Sequence, residues 1–173
     1  LVSEAVGAMV ASFAGQSKLE VISLSERGNK AEIDLTITPD FMALSPDSYL
    51  VAAADSTRGA VAVVSLQNRK LLFRLEGVGD PRNLTFSQDA SQLYITDRKA
   101  LELVVVDIVQ QSVLERVALA RDAAPGTNRE RDGGNRELAA SALARTVDGR
   151  YGFIVFPDLN ALVVVNLGTL TPV

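Results

Sequence analysis

Three aspartates in this sequence stand at comparable places: Asp55 closes the run VAAAD, Asp97 closes LYITD, and Asp158 follows FIVFP. Carboxylates that converge from equivalent positions can hold a cation through oxygen ligands. The plainer reading is that each accepts hydrogen bonds from the turn after its strand, which accounts for the repetition without a ligand. Asp40, Asp80 and Arg82 form a second group, in the turn-rich stretches TPD and GDPR. Arg129 and Arg131 belong to a third, RDAAPGTNRERDGGNRE from Arg121 to Glu137, whose four Arg balance four acids as in a solvated loop. Long loops on rigid scaffolds often carry binding.

What is missing narrows the chemistry further. The 173 residues include no His, no Cys and no Trp. That removes Cys/His zinc sites, c-type haem attachment, Cys-His and Ser-His-Asp catalysis and a His general base within this chain. Carboxylate, Lys, Tyr and Ser chemistry remains, but no spacing argues for a catalytic carboxylate pair. There is no P-loop and no Gly-rich dinucleotide fingerprint. No cofactor is therefore expected, and an enzyme is the less favoured class.

A net charge of -4 and a pI near 4.9 speak against nucleic acid and against an anionic membrane, since both need a basic surface. No apolar stretch approaches the roughly 18 residues of a membrane helix, so no membrane insertion is expected. The opening LVSEAVGAMVASFAG lacks a cationic start and carries Glu4 early, unlike a signal peptide. The missing initiator Met suggests a processed chain or a piece of a longer one.

The elements that must position these residues repeat along the chain. The apolar runs LEVISL, VAVVSL, LVVVDI and LVVVNL end at Leu24, Leu66, Ile108 and Leu167, at intervals of 42, 42 and 59. The longer third interval contains the polar stretch 121–137, one insertion in a fixed period. Ser45, Ser87 and Thr146 each open a turn 21 residues before the end of the following run, and Ser3 stands at the same distance from Leu24. Asp47, Asp89 and Asp148 in these turns can accept bonds from the turn's own amides, and Gly149 supplies a positive φ.

Each unit holds four short β-like runs split by Asp, Gly, Asn and Ser, the all-β signature. The one helix candidate is NRELAASALAR, Asn135 to Arg145. Its register reads Ser141 to Thr146 as a strand instead, with a helix kept only for the end of the insertion. Asn83-Leu84-Thr85 matches a glycosylation acceptor but falls inside an expected strand.

Four short strands recurring every 40 to 45 residues make the blade of a β-propeller, whose sheets stack around an axis and shelter one another. The expected fold is all-β, one propeller domain or propeller fragment over 1–173 built of four-stranded antiparallel blades. Its units run approximately over 1–38, 39–76, 77–120 and 138–173, with the insertion loop at 121–137. In this register Arg145 takes the inner-strand place of Leu44 and Phe86. A charge there is costly unless paired or wet, so Arg145 lines a solvated channel or reaches an acid such as Asp40, Asp80 or Glu137. The insertion projects from the face that carries Asp40, Asp80 and Arg82.

The stretch VAVVSLQNRKLLFRLEGVGDPRNLTFSQDASQLYITD, Val61 to Asp97, resembles the YVTN family of β-propeller repeats. Val104-Val105-Val106-Asp107, Gly79-Asp80-Pro81, Ser45-Pro46-Asp47 and Tyr94-Ile95-Thr96-Asp97 match parts of that family's unit, though no unit holds all of it. The resemblance implies a hairpin joining the innermost strand to the second, with the Val-rich run third. The chain then holds four blades, the last short of most of its outer strand. It is a small closed ring or half of a larger ring, completed by another copy as a homodimer or by residues outside this sequence. The resemblance also implies a bacterial extracellular or periplasmic protein, a non-enzymatic scaffold that binds a protein or polysaccharide partner through loops on one face. Asp40, Asp80, Arg82, Arg129, Arg131 and Arg145 are the candidate ligand-binding residues, and Asp55, Asp97 and Asp158 the weaker candidates for a metal. The alternatives are a propeller enzyme of lactonase or quinoprotein-like type and a purely structural self-assembling module.

Overall fold

The computed structural model describes residues 1–25, 29–119, 142–157 and 160–173. Within them the chain forms sixteen strands, and each consecutive set of four makes an antiparallel sheet in chain order. Blade 1 contains β1 (Val2–Ser3), β2 (Ala8–Ser12), β3 (Lys18–Ser23) and β4 (Lys30–Asp34). Blade 2 contains β5 (Phe41–Leu44), β6 (Leu50–Asp55), β7 (Ala60–Ser65) and β8 (Lys70–Leu75). Blade 3 contains β9 (Pro81–Phe86), β10 (Gln92–Asp97), β11 (Glu102–Asp107) and β12 (Ser112–Ala118). Blade 4 contains β13 (Ala142–Arg145), β14 (Tyr151–Phe156), β15 (Ala161–Asn166) and β16 (Thr171–Pro172). No helix among the described residues is long and apolar enough to cross a membrane.

The first strands β5, β9 and β13 lie beside one another, so they form the inner wall. Because each sheet is antiparallel and sequential, its connections fall alternately on two faces. One face carries the hairpins at 45–49, 87–91 and 146–150. The other carries the turns that begin at Ser56 and Arg98 and the linkers that end at Asp40 and Asp80. The insertion lies outside the described residues, but the strand ends that flank it, Ala118 and Ala142, belong to this second face.

Burial explains the sequence of each blade. In blade 2 every residue of β7 is buried, and in blade 3 so are Leu103 to Val106, because these sheets are covered on both sides. Three apolar clusters fill the gaps between blades 1 and 2, 2 and 3, and 3 and 4. The end blades are covered on one side and alternate accordingly: in β2, Ala8 and Val10 are buried while Met9 is exposed. Among the described residues no fourth cluster joins blade 4 to blade 1, so the blades form an open arc.

Turn chemistry is written three times. Ser45 Oγ donates to Asp47 Oδ1 at 2.5 Å and accepts the Leu50 amide at 2.9 Å. Ser87 repeats this with Asp89 at 2.6 Å and the Gln92 amide at 2.9 Å. Thr146 Oγ1 accepts the Tyr151 amide at 3.0 Å, while Asp148 accepts the Arg150 amide at 3.1 Å. The residue three places after the Ser or Thr has positive φ in all three turns: Ser48 at 63°, Ala90 at 57° and Gly149 at 71°. Only Gly149 adopts that conformation without steric cost. In blade 1 the turn loses this pattern, but Gly7 keeps a positive φ of 59° and Ser3 Oγ donates to the Ser48 carbonyl at 2.6 Å.

The outer strand pairs carry matching irregularities. Register shifts between Val63 and Val64, and again between Val105 and Val106, leave Leu72 and Leu114 without a partner on β8 and β12. Such bulges add local twist, and they put both leucines on the surface.

Candidate functional site

The linkers that lead into blades 2 and 3 are held by buried carboxylates. Asp55 Oδ2 accepts the Thr38 amide at 2.9 Å and its Oδ1 accepts the Arg58 amide at 2.9 Å. Asp97 Oδ1 accepts the amides of Asp80, Lys99 and Ala100 at 3.0, 2.9 and 3.1 Å. Each aspartate thus caps its own turn and ties down the chain entering the inner strand of its blade. Gly79 makes the second latch feasible: at φ 80° it lies so close that a Cβ would fall 2.3 Å from Asp97 Oδ2. These bonds give both carboxylates a structural role in their turns and linkers, and no group of three or more acidic, His or Cys side chains suited to a metal occurs among the described residues.

The expected third member of that set does not repeat it. Strand pairing aligns Asp55 with Ala60, Asp97 with Glu102 and Phe156 with Ala161, so the buried Phe156 holds the equivalent position in blade 4. Asp158 itself lies outside the described residues, as do Arg129 and Arg131.

Asp80 and Arg82 pair on this face at the start of blade 3, and Asp40 stands on the same face at the start of blade 2. Asp40 Oδ2 accepts the Ser56 amide at 2.9 Å and the Ser56 hydroxyl at 2.6 Å. Asp80 Oδ2 accepts Arg98 Nε at 2.5 Å and Arg82 Nη2 at 3.3 Å. Arg82 Nε lies 2.9 Å from Asp80 Oδ1 without the alignment of a hydrogen bond, so that contact is ionic only. The Arg82 guanidinium also sits 5.7 Å above the ring of Phe41, a favourable cation–π placement. One partly buried carboxylate is therefore shared by two guanidinium groups.

Beside this cluster opens a cleft of about 570 Å³ lined by Ser56, Thr57, Gly79, Asp80, Arg98, Lys99 and Leu101. Its wall presents one carboxylate, two cations and two hydroxyls, with the Asp40 and Asp97 carboxylates bonded directly behind it. Arg98 and Lys99 follow the latch residue Asp97 directly. Sequence reasoning passed over them because their signal, a basic pair after the second strand of one blade only, has no counterpart in the repeat.

Arg145 ends on the opposite face, and acidic partners are not what holds it. Among the described residues its guanidinium donates to the Phe86 carbonyl at 3.0 Å, the Thr146 carbonyl at 3.4 Å and Gln88 Oε1 at 2.7 Å. It sits at the hairpin end of β13, too far along the strand for Asp40 or Asp80, and Glu137 lies outside the described residues. Neutral oxygens of the adjacent hairpin offset its desolvation and stitch blade 4 to blade 3. A second cleft of about 570 Å³ lies there, lined in part by Gln88, Asp89, Tyr94, Arg145 and Gly168. Burial raises the Tyr94 hydroxyl above its ordinary pKa, helped by the Asp89 charge and opposed by Arg145.

No family model and no curated protein matches the chain. Solved structures do. The chain superposes over its whole length on 36% of dihydro-heme d1 dehydrogenase NirN in complex with DHE, with a TM-score of 0.73 and 22% identity. It also superposes over its whole length on 49% of Kuenenia stuttgartiensis hydrazine synthase, with a TM-score of 0.63 and 12% identity. The shared fold is the β-propeller. The chain spans between about a third and a half of these propeller proteins, and at such identities the likeness is one of fold alone.

Proposed function

We propose that this propeller is a non-enzymatic binding module that takes an acidic protein or polysaccharide partner on the face bearing Asp40, Asp80 and Arg82. The observation that carries this reading is the cleft wall of Arg98, Lys99 and Asp80 between blades 2 and 3. A partner carboxylate can pair with the Lys99 ammonium, while the Thr57 hydroxyl serves its neighbouring polar groups. The guanidinium groups are already oriented by Asp80, so binding orders little that is not ordered in the free protein. An extracellular or periplasmic setting fits the resemblance to YVTN repeats, and the insertion 121–137 leaves from the same face.

Titration calorimetry with a uronic-acid oligosaccharide and with a Glu-rich peptide tests this. At least one binds, more weakly at higher salt, and the double variant Arg98→Ala/Lys99→Ala loses at least about tenfold in affinity, or about 1.4 kcal/mol. Equal affinity for the wild type and the double variant, or no binding of either probe, removes the reading.

A second reading is favoured by the names of the two superposed proteins, a dehydrogenase and a synthase. On that reading the chain is part of a propeller enzyme of lactonase or quinoprotein-like type. A stoichiometric divalent cation or bound chromophore in the purified protein, detected by elemental analysis and absorption, is its expected signature.

A further inference from the structure

We infer that the cleft between blades 3 and 4, on the hairpin face, is a second binding site, separate from the cleft of Arg98 and Lys99, and that it takes a short neutral saccharide. Strand register gives each gap between blades three equivalent places: Ala8, Val10 and Leu44 between blades 1 and 2, Leu50, Ala52 and Phe86 between blades 2 and 3, and Gln92, Tyr94 and Arg145 between blades 3 and 4. The first two sets are apolar and pack into the clusters that fill their gaps. In the third, the Tyr94 ring stays in the cluster of blades 3 and 4, but its hydroxyl and the side chains of Gln92 and Arg145 bring polar groups to the place. There the gap opens into the cleft of about 570 Å³. Gly168 on its wall has no side chain where Gln67 and Val109 follow Leu66 and Ile108 in blades 2 and 3. Packing alone is met by the apolar set, so its replacement at one gap points to a ligand.

Bonds within the wall orient its polar groups without exhausting them. Arg145 donates to the Phe86 carbonyl, the Thr146 carbonyl and Gln88 Oε1, so among the described residues two of the five guanidinium N–H groups stay available. The bonds from Ser87 and Ser91 to Asp89 all fall on Oδ1, which leaves Oδ2 as an acceptor. The Tyr94 hydroxyl donates to Gln92 Oε1 at 2.8 Å, so the phenol oxygen can still accept, and the side-chain amides of Gln92 and Gln88 can still donate.

The wall thus offers donors and acceptors together, with one cation and one anion that balance. An anionic ligand would meet Asp89, and a cationic one Arg145. Sugar hydroxyls suit both, because each donates and accepts at once, and their bonds to Asp89 and Arg145 are charge-assisted. The volume falls within the roughly 300–1,000 Å³ of small-molecule sites.

Titration calorimetry with three neutral trisaccharides, maltotriose, cellotriose and triacetylchitotriose, tests this. At least one binds, and its affinity changes by less than about twofold between about 0.05 and 0.5 M salt, unlike that of an acidic partner on the other face. Arg145→Ala lowers the affinity at least about tenfold through its lost bonds. Gly168→Val, which restores the residue of blade 3, lowers it as much by filling the cleft. Gln88→Ala lowers it about threefold and serves if Arg145→Ala loosens blade 4, since Pro46 and Val147 show that the hairpin position accepts other residues. No binding of any of the three, or unchanged affinity in Arg145→Ala or in Gly168→Val, overturns the inference. So does a preference for trigalacturonate over all three that disappears in Arg145→Ala, which would mean an anion site.

Discussion

Asp89 shows how a single carboxylate works in this repeat. It accepts the Ser87 hydroxyl at 2.6 Å, the Ser91 amide at 3.1 Å and the Ser91 hydroxyl at 2.8 Å. Together these lower its pKa from 3.8 to about 2, the Ser87 bond contributing most. A depressed carboxyl stabilises the fold above its unfolded pKa, and that contribution disappears as pH falls through the folded value. Asp89→Asn keeps an acceptor oxygen but does not titrate. The stability difference between wild type and variant should therefore narrow as pH falls from about 5 to about 2. Because the group is exposed, the whole effect stays below about 1 kcal/mol. Thermal melts across that range read it, and a difference independent of pH would show that charge is irrelevant to the turn. Asp55 and Asp97 are related residues in buried positions, where each holds the backbone amides of its own turn and of the linker before its blade.

Among elements, the instructive comparison is between equivalent strands with different neighbours. Leu103 on β11 and Leu162 on β15 occupy the same register position, yet Leu103 is fully buried in the gap between blades 3 and 4 and Leu162 is exposed. Leu103→Ala should cost about 2–5 kcal/mol through lost burial and the cavity left behind. Leu162→Ala should change stability by no more than about 0.5 kcal/mol. Urea titrations measure both, and equal costs would mean that the outer side of blade 4 is covered. Arg74 and Arg116 also act between elements: Arg74 reaches Thr36 Oγ1 and Arg116 donates to the Gly77 carbonyl at 2.9 Å, each holding the linker at the end of the preceding blade.

At the scale of the molecule, stability follows the arrangement of the stack. Blades that contact only their neighbours have stabilities set by their own strands plus the interfaces on each side. Among the described residues blades 2 and 3 have two such interfaces, and blades 1 and 4 have one. Hydrogen exchange should find the slowest amides in β6, β7, β10 and β11, with β1, β2, β13 and β14 opening first. Uniform protection over all four sheets would mean that the arc unfolds as one unit.

The period of 42, the four strands per unit and the Ser-x-Asp turns are local properties of the chain, and the sequence determined them by itself. Alternating turn residues and apolar runs leave the backbone few other ways to satisfy its hydrogen bonds. Asp40, Asp80 and Arg82 were legible as one surface group because antiparallel order sends every second connection to the same face. Tertiary structure alone decided the rest. Whether Arg145 met an acid or a carbonyl depended on which end of β13 it reached. Whether Asp55 and Asp97 faced a ligand or a linker depended on amides 17 residues upstream in the chain. The exposure of Leu162, identical in type and register to the buried Leu103, depended on which side of its sheet has a neighbouring blade among the described residues. Burial is a property of neighbours, and a repeat whose units read alike does not record which of their faces are covered.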